Sequence, residues 1–166
     1  LYLGAVNGYR GGKNWDETLW FAGVTLTTPW KFLRAGATYD YLGTTDEFDG
    51  GSSYANAVAA YLSFQLSDRL SLHGRAEYAW TDTDLLGSAA NLPGGDTKLF
   101  ALTGTVQYDL WRNVISRLEV RWDHQAGDDS MTGFGGPLIG FGGGSFGDPG
   151  TKRNTVLLAA NIIYTF

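Results

Sequence analysis

The chain alternates apolar and polar residues with a period of two through eight segments, and none of its segments has a helical period. Because successive side chains of a strand point to opposite faces, this alternation predicts strands with one apolar and one polar face. The predicted strands are Leu1–Tyr9, Thr18–Thr28, Phe32–Leu42, Asn56–Leu66, Leu70–Thr81, Lys98–Leu110, Val114–His124 and Thr155–Phe166. Most are close to the length of about 9–11 residues that a tilted strand needs to cross a bilayer.

The connections between these segments alternate between short and long. Three of them are predicted to be tight turns, within Thr28–Lys31, Leu66–Arg69 and Trp111–Asn113. The other four are rich in Gly and Asp and are predicted to be long loops, at Arg10–Glu17, Gly43–Ala55, Asp82–Thr97 and Gln125–Arg153. Short turns at one end and long loops at the other are typical of outer-membrane β-barrels, with the short turns in the periplasm and the long loops outside the cell.

Aromatic residues on the apolar face distinguish a lipid-facing sheet from a soluble one. The register set by the tight turns predicts one group of rings near the long loops: Trp20, Tyr39, Tyr41, Tyr78, Trp80, Phe100 and Trp122. A second group lies near the short turns: Phe64, Tyr108, Tyr164 and Phe166. Small and aliphatic residues lie between the two groups: Val24, Ala37, Ala60, Leu62, Ala76, Leu102, Val120 and Ala160. Aromatic rings prefer the headgroup zone, so two belts predict an antiparallel transmembrane β-barrel rather than a soluble sandwich or a lipocalin-like barrel.

Composition narrows the function further. The chain has 166 residues, which suits a single domain over 1–166, with 24 Gly, no Cys and a net charge of -5. Absent cysteines exclude disulfides, thiol nucleophiles and cysteine-based zinc sites, and no basic stripe is present to bind nucleic acid. No segment has the roughly 18 apolar residues of a membrane helix. The sequence opens on a strand-like segment and not on a signal-peptide pattern, so we expect that processing or truncation removed what preceded it.

The candidate functional residues are the charged positions of the predicted polar face. The basic members are Arg34, Arg75, Arg117 and Arg121, and the acidic members are Asp40, Glu77, Asp109, Glu119 and Asp123, with His73 among them. In a water-filled channel, opposed arginines and carboxylates would create a transverse field that sorts polar solutes. In a closed eight-stranded barrel, the same charges would pair in a packed interior. The pattern leaves both interpretations open and implies neither a cofactor nor a metal.

Other polar groups lack the spacing that a catalytic or ligand site needs. A set of residues near the strand ends loosely resembles the paired residues of omptin proteases: Asp82, Asp84, Asp123 and His124. Because Asp123 and His124 are adjacent, they point to opposite faces, and we predict no enzyme. The glycine run Gly142–Gly144 has no Lys-Ser/Thr after it. The acidic residues Asp46, Glu47, Asp49, Asp128 and Asp129 lack EF-hand spacing, so solvated loop carboxylates are expected rather than cation ligands between lipopolysaccharide molecules.

Three segments resemble strands of the OmpL-like β-barrel porin family. They are Ala5–Tyr9 with its polar Gly/Asn continuation, Leu70–Tyr78 and Ser116–Asp123. The resemblance extends over most of the chain and aligns it with the C-terminal part of a family member. It implies an outer-membrane porin for passive diffusion of small hydrophilic solutes. Family members are considerably longer and have more strands, so the eight strands either close on themselves or form part of a wider barrel.

The competing function is that of a small closed eight-stranded barrel with a structural or surface-binding role through the loops Gly43–Ala55 and Gln125–Arg153. In either case the expected partners are outer-membrane lipid, lipopolysaccharide and the barrel assembly machinery, with small polar solutes for a channel. Similarity to outer-membrane proteins as a class implies an assembly signal at Ile162, Tyr164 and Phe166. The sequence leaves open a homo-oligomer, and it leaves open whether the loop 125–153 folds into the lumen.

Overall fold

The computed structural model describes residues 1–10, 15–46, 52–81, 97–127 and 153–166. These residues form eight strands: β1 (Tyr2–Arg10), β2 (Trp15–Thr27), β3 (Leu33–Asp46), β4 (Ser52–Gln65), β5 (Leu70–Thr81), β6 (Thr97–Trp111), β7 (Val114–Gln125) and β8 (Asn154–Tyr164). Each strand pairs antiparallel with its neighbour in sequence, so a single sheet has the strand order β1 to β8. The predicted all-β, antiparallel architecture is confirmed.

The three predicted tight turns are present at one end of the sheet. Between β2 and β3, the Leu33 amide donates to the Trp30 carbonyl at 3.0 Å, and the Thr28 hydroxyl donates to the Leu33 carbonyl at 2.7 Å. Between β4 and β5, the Ser67 hydroxyl accepts from the amides of Arg69 and Leu70, which is a common way for serine to stabilise a turn. Only two residues, Arg112 and Asn113, separate β6 from β7.

Several strands extend further than the sequence predicted. β3 continues to Asp46 and β4 begins at Ser52, so both ends of the predicted loop Gly43–Ala55 belong to strands. β2 likewise begins at Trp15, inside the predicted loop Arg10–Glu17. The alternation of apolar residues stops where side chains leave the apolar zone, whereas backbone pairing continues between polar residues such as Thr44 and Ser53. Hydropathy therefore underestimated the lengths of these strands. Apart from Ala126, Gly127 and Arg153, the remaining parts of the predicted long loops lie outside the described residues.

The register confirms the predicted division into two faces. Directly opposed residues of an antiparallel pair lie on the same face. The row Val24, Ala37, Ala60, Ala76 and Leu102 runs across five neighbouring strands and lies on the apolar face. The opposite face, here called the polar face, carries every charged residue that was predicted to lie on it.

The described part of the sheet has no hydrophobic core. Its only buried apolar residues are Ala59 and Ala101, and none of its large side chains is fully buried. Leu62, Leu102 and Val120 on the apolar face are 45%, 42% and 45% exposed. A soluble sandwich would cover this face with a second layer, and none is present among the described strands.

Among the residues that the structure describes, no helix has the length and apolar character needed to cross a membrane.

Aromatic rings associate on the apolar face near the end opposite the tight turns. Trp20 contacts Tyr39 and Tyr41, with ring centroids 4.9 and 5.7 Å apart. At the tight-turn end, the β6–β7 register shifts between Asp109 and Trp111, so that Trp111 lies opposite Val114. A β-bulge redirects a side chain by inserting one residue into a strand. Here it brings the 69% exposed Trp111 to the apolar face.

The sheet is open. β1 pairs only with β2 and β8 only with β7, and no β1–β8 pairing occurs between the described strands. The outer edges of β1 and β8 therefore present rows of backbone amide and carbonyl groups that have no partner strand within this sheet.

Candidate functional site on the polar face

Six titratable residues form a charged cluster on two strands that run in the same direction. His73, Arg75 and Glu77 lie on β5, and Glu119, Arg121 and Asp123 lie on β7. The intervening strand β6 contributes small residues to the same rows: Thr105 lies between His73 and Glu119, Thr103 between the two arginines, and Ala101 between Glu77 and Asp123. Because neighbouring strands are about 4.8 Å apart, the two halves of the cluster are separated by roughly 10 Å.

Each arginine of the cluster pairs with the carboxylate two residues further along its own strand. Arg75 forms an ion pair with Glu77. The Arg121 Nε donates to both oxygens of Asp123, at 2.8 and 3.1 Å, and its Nη2 lies 2.8 Å from Oδ1. The observed pairs therefore run along the strands, whereas the channel interpretation of the sequence placed arginines and carboxylates opposite each other across a lumen. The resulting dipoles point along β5 and β7.

Uncharged polar residues of β4, β5 and β6 form hydrogen bonds with members of the cluster. The Nδ1 of His73 lies 2.9 Å from the Ser63 hydroxyl and its Nε2 lies 3.0 Å from the Ser71 hydroxyl. The Thr105 hydroxyl donates to the Glu119 carboxylate at 2.9 Å. With hydroxyls at both ring nitrogens, His73 has no carboxylate to orient it within the described residues, so the arrangement is not that of a hydrolase base.

The arginines have partly accessible side chains beside a cavity. The side chains of Arg75 and Arg121 are 40% and 31% exposed, against 18% for Glu77 and 13% for Asp123. A cavity of about 280 Å³ lies between β4 and β7, and its lining includes both arginines and Tyr61. The Arg75 guanidinium carbon lies 5.6 Å from the centre of the Tyr61 ring. The buried Arg75 Nε has no hydrogen-bond partner among the described residues. A polar solute that enters this cavity could contact charged groups of both signs and an aromatic face.

The other four predicted polar-face residues lie outside the cluster. Arg34 lies near the tight-turn end of β3 and Asp40 further along that strand, and neither side chain has an ion pair or hydrogen bond with any described residue. Arg117 donates through Nε to the Gln107 side chain at 2.8 Å, and Gln107 also donates to Asp109 at 3.4 Å. The predicted polar-face residues therefore comprise one cluster of six and four residues that lie outside it.

Sequence reasoning missed the uncharged residues that contact the charged ones. Ser63, Thr105 and Gln107 each bind a member of the predicted set, and the Tyr61 ring lies beneath a guanidinium. All of them occupy polar-face positions of their strands, so the period-two rule that selected the charged residues could also have selected these.

The structure supports the geometric objection to a protease-like pair. Asp123 binds Arg121 on the polar face, whereas His124 is opposite Phe100 on the apolar face, with its Nδ1 2.9 Å from the Asn154 side-chain oxygen. Of the remaining candidates, Asp46 belongs to β3, and these positions lie outside the described residues: Glu47, Asp49, Asp82, Asp84, Asp128, Asp129 and Gly142–Gly144. In the described part of the chain, no group of three potential metal ligands is close enough to hold an ion.

The residues of the expected assembly signal are exposed on and after β8. Ile162 is 72% exposed and Tyr164 60% exposed, both on the apolar face. The rings of Tyr164 and Phe166 stack with centroids 6.4 Å apart. Their role in assembly stays a prediction.

Comparison with protein families shows what the chain is similar to. The family model described as "Putative beta-barrel porin-2, OmpL-like" matches residues 8–166, which is nearly the whole chain. No curated protein and no solved structure matches the chain.

Proposed function

Because the chain belongs to the OmpL-like β-barrel porin family, we propose that it forms a bacterial outer-membrane channel for the passive diffusion of small hydrophilic solutes. The observation that carries this proposal is the two-faced sheet without a core. One face exposes aliphatic side chains such as Leu102 and Val120, and the other exposes arginines beside an open cavity. Lipid would cover the aliphatic side chains of the first face, and water would solvate the arginines of the second.

The barrel that we propose is wider than eight strands. In the hydrocarbon zone, an unpaired strand edge is too costly to persist, because water is absent and each unsatisfied backbone group costs several kcal/mol. The open edges of β1 and β8 therefore need partner strands. Since the described strands β1 and β8 do not pair with each other, we propose that further strands lie between their outer edges and close the barrel.

The competing small, filled barrel is less well supported by the geometry of the charged cluster. A packed interior would bury its ion pairs, and burial of charges requires nearly complete satisfaction of their hydrogen bonds. Arg75 instead keeps 40% of its side chain exposed. This exposure suits a wall that faces water.

In the proposed orientation, the tight turns face the periplasm and the opposite end of the sheet faces outward, where it would contact lipopolysaccharide. Insertion would depend on the barrel assembly machinery through Ile162, Tyr164 and Phe166. Solutes would pass without any chemical change.

The channel function can be tested with the whole protein in planar lipid bilayers. We expect stepwise increases of KCl current as single channels insert. Flux from vesicles should decrease as neutral sugars of increasing size are offered, because passive diffusion is limited by pore width. Complete absence of current from folded, heat-modifiable protein would contradict the proposal and favour the structural barrel.

The width of the barrel can be tested by disulfide cross-linking, since the chain has no Cys. The reference pair is Ala60→Cys with Ala76→Cys, which are directly opposed on β4 and β5. The test pairs combine Ala5→Cys on β1 with Leu158→Cys, Ala160→Cys or Ile162→Cys on β8, all on the apolar face. A disulfide requires Cα atoms within about 7 Å, so we expect oxidation to link the reference pair and none of the test pairs. Efficient linkage of any test pair would show that the eight strands close on themselves.

A further inference from the structure

Part of the polar face is apolar. On this face, near the end of the sheet away from the tight turns, two adjacent rows of paired residues run across β1 to β4 and contain few polar side chains. One row pairs Val6 with Leu19, Leu19 with Leu42, and Leu42 with Ala55; the next pairs Phe21 with Asp40 and Asp40 with Ala57. We call the six apolar residues the apolar wall: Val6, Leu19, Phe21, Leu42, Ala55 and Ala57.

The apolar wall borders a cavity of about 540 Å³, which lies within the range of about 300–1,000 Å³ typical of small-molecule sites. Val6 is 65% exposed and Leu19 41% exposed. The Phe21 ring leans over Gly23 on the same strand, and a Cβ atom at Gly23 would lie only 2.8 Å from Phe21 Cζ. The glycine thus provides the space that the ring occupies beside the cavity.

Among the described residues, Asp40 is the only charged one that lines this cavity. It lies directly between Phe21 and Ala57 and is exposed, and its side chain has no ion pair or hydrogen bond with any described residue. Arg34, on the same strand and face, is six residues away, which is about 20 Å along a strand. A carboxylate that lies among apolar side chains, with no cationic partner in the described part of the chain, is complementary to a ligand that brings its own positive charge.

We propose that the apolar wall and Asp40 form a binding subsite for organic cations, in particular solutes that join an amino group to an aromatic or aliphatic body. The amino group pairs with the Asp40 carboxylate, and the apolar body packs on Phe21 and Leu19. This inference rests on the proposed channel function and names a solute class for it. The subsite is separate from the charged cluster, because no residue of the cluster lines the cavity.

The test compares four probes on the whole protein in planar bilayers carrying a KCl current. Benzylammonium has the apolar body and the charge, methylammonium has only the charge, benzyl alcohol has only the body, and benzoate has the opposite charge. We expect benzylammonium to reduce the current at the lowest concentration. Asp40→Asn should raise its half-blocking concentration about 3- to 5-fold and Phe21→Ala about 3- to 10-fold. The matched control Asp109→Asn, which removes a polar-face carboxylate near the tight turns, should leave it unchanged.

Saturation-transfer NMR of benzylammonium with the folded protein supplies a second measurement that needs no current. Binding that depends on Asp40 and Phe21, in either measurement, supports the subsite. Equal effects of benzylammonium and methylammonium, or no change in Asp40→Asn, would overturn it while a persisting KCl current leaves the channel intact. A protein that binds benzylammonium through Asp40 but carries no current would retain the subsite and refute the channel.

Discussion

Replacing Ala160 with Arg should destabilise the membrane-inserted sheet by about 2–4 kcal/mol, whereas Ala159→Arg should change its stability by no more than about 1 kcal/mol. The two alanines are neighbours on β8 but lie on opposite faces. Ala160 is opposite Leu118 on the apolar face, and Ala159 is opposite Glu119 on the polar face. In lipid, the first arginine must enter hydrocarbon, while the second can pair with Glu119 in water.

Urea unfolding of the protein in phospholipid vesicles measures both free energies. The comparison is closely matched, because the two variants make the same substitution at adjacent positions of one strand. Equal losses of stability would show that the two faces of β8 have the same environment, and the assignment of the apolar face to lipid would then be wrong.

The double variant Arg75→Gln/Arg121→Gln should shift the permeability ratio of K⁺ to Cl⁻ toward cations by roughly 3- to 10-fold. It removes both positive charges from the cluster and leaves the carboxylates of Glu77, Glu119 and Asp123 without compensation. Because the pairs are partly solvated, each should contribute only about 0–1 kcal/mol to the free energy of unfolding.

The reversal potential in a KCl gradient measures this shift. The opposite double variant, Glu77→Gln/Asp123→Asn, is the control and should shift the same ratio toward anions. Unchanged reversal potentials in both variants would place the cluster away from the path of the ions. A loss of several kcal/mol in stability with no current would instead indicate a filled barrel, in which the removed partners leave buried charges.

The sequence predicted the strands best where one face is uniformly apolar and the other uniformly polar. β5 has the predicted bounds Leu70–Thr81, because alternation is strong along its whole length. β3 and β4 extend beyond their predicted ends because residues such as Thr44 and Ser53 pair through the backbone without an apolar pattern. Strand pairing depends on backbone hydrogen bonds, which the pattern of apolar and polar residues does not reveal.

The site was only partly predictable for two physical reasons. The choice of ion-pair partner depends on side-chain rotamers, so the sequence located Arg121 and Asp123 on one face without showing that they bind each other. The apolar wall was missed because β2 carries apolar residues on both faces: Leu19 and Phe21 alternate with Trp20 and Ala22. Where alternate positions of a strand are all apolar, the pattern does not show which side chains lie on the polar face of the sheet and which on the apolar face.

The direction of the two ion pairs has an electrical consequence. In both, the arginine is closer to the tight turns and the carboxylate further from them, on strands that run the same way. Since barrel strands tilt by about 45°, the two dipoles add along the pore axis instead of cancelling. A cation arriving from one end meets the carboxylates first, and one arriving from the other end meets the arginines first. The open channel should therefore rectify, passing unequal currents at voltages of equal size and opposite sign.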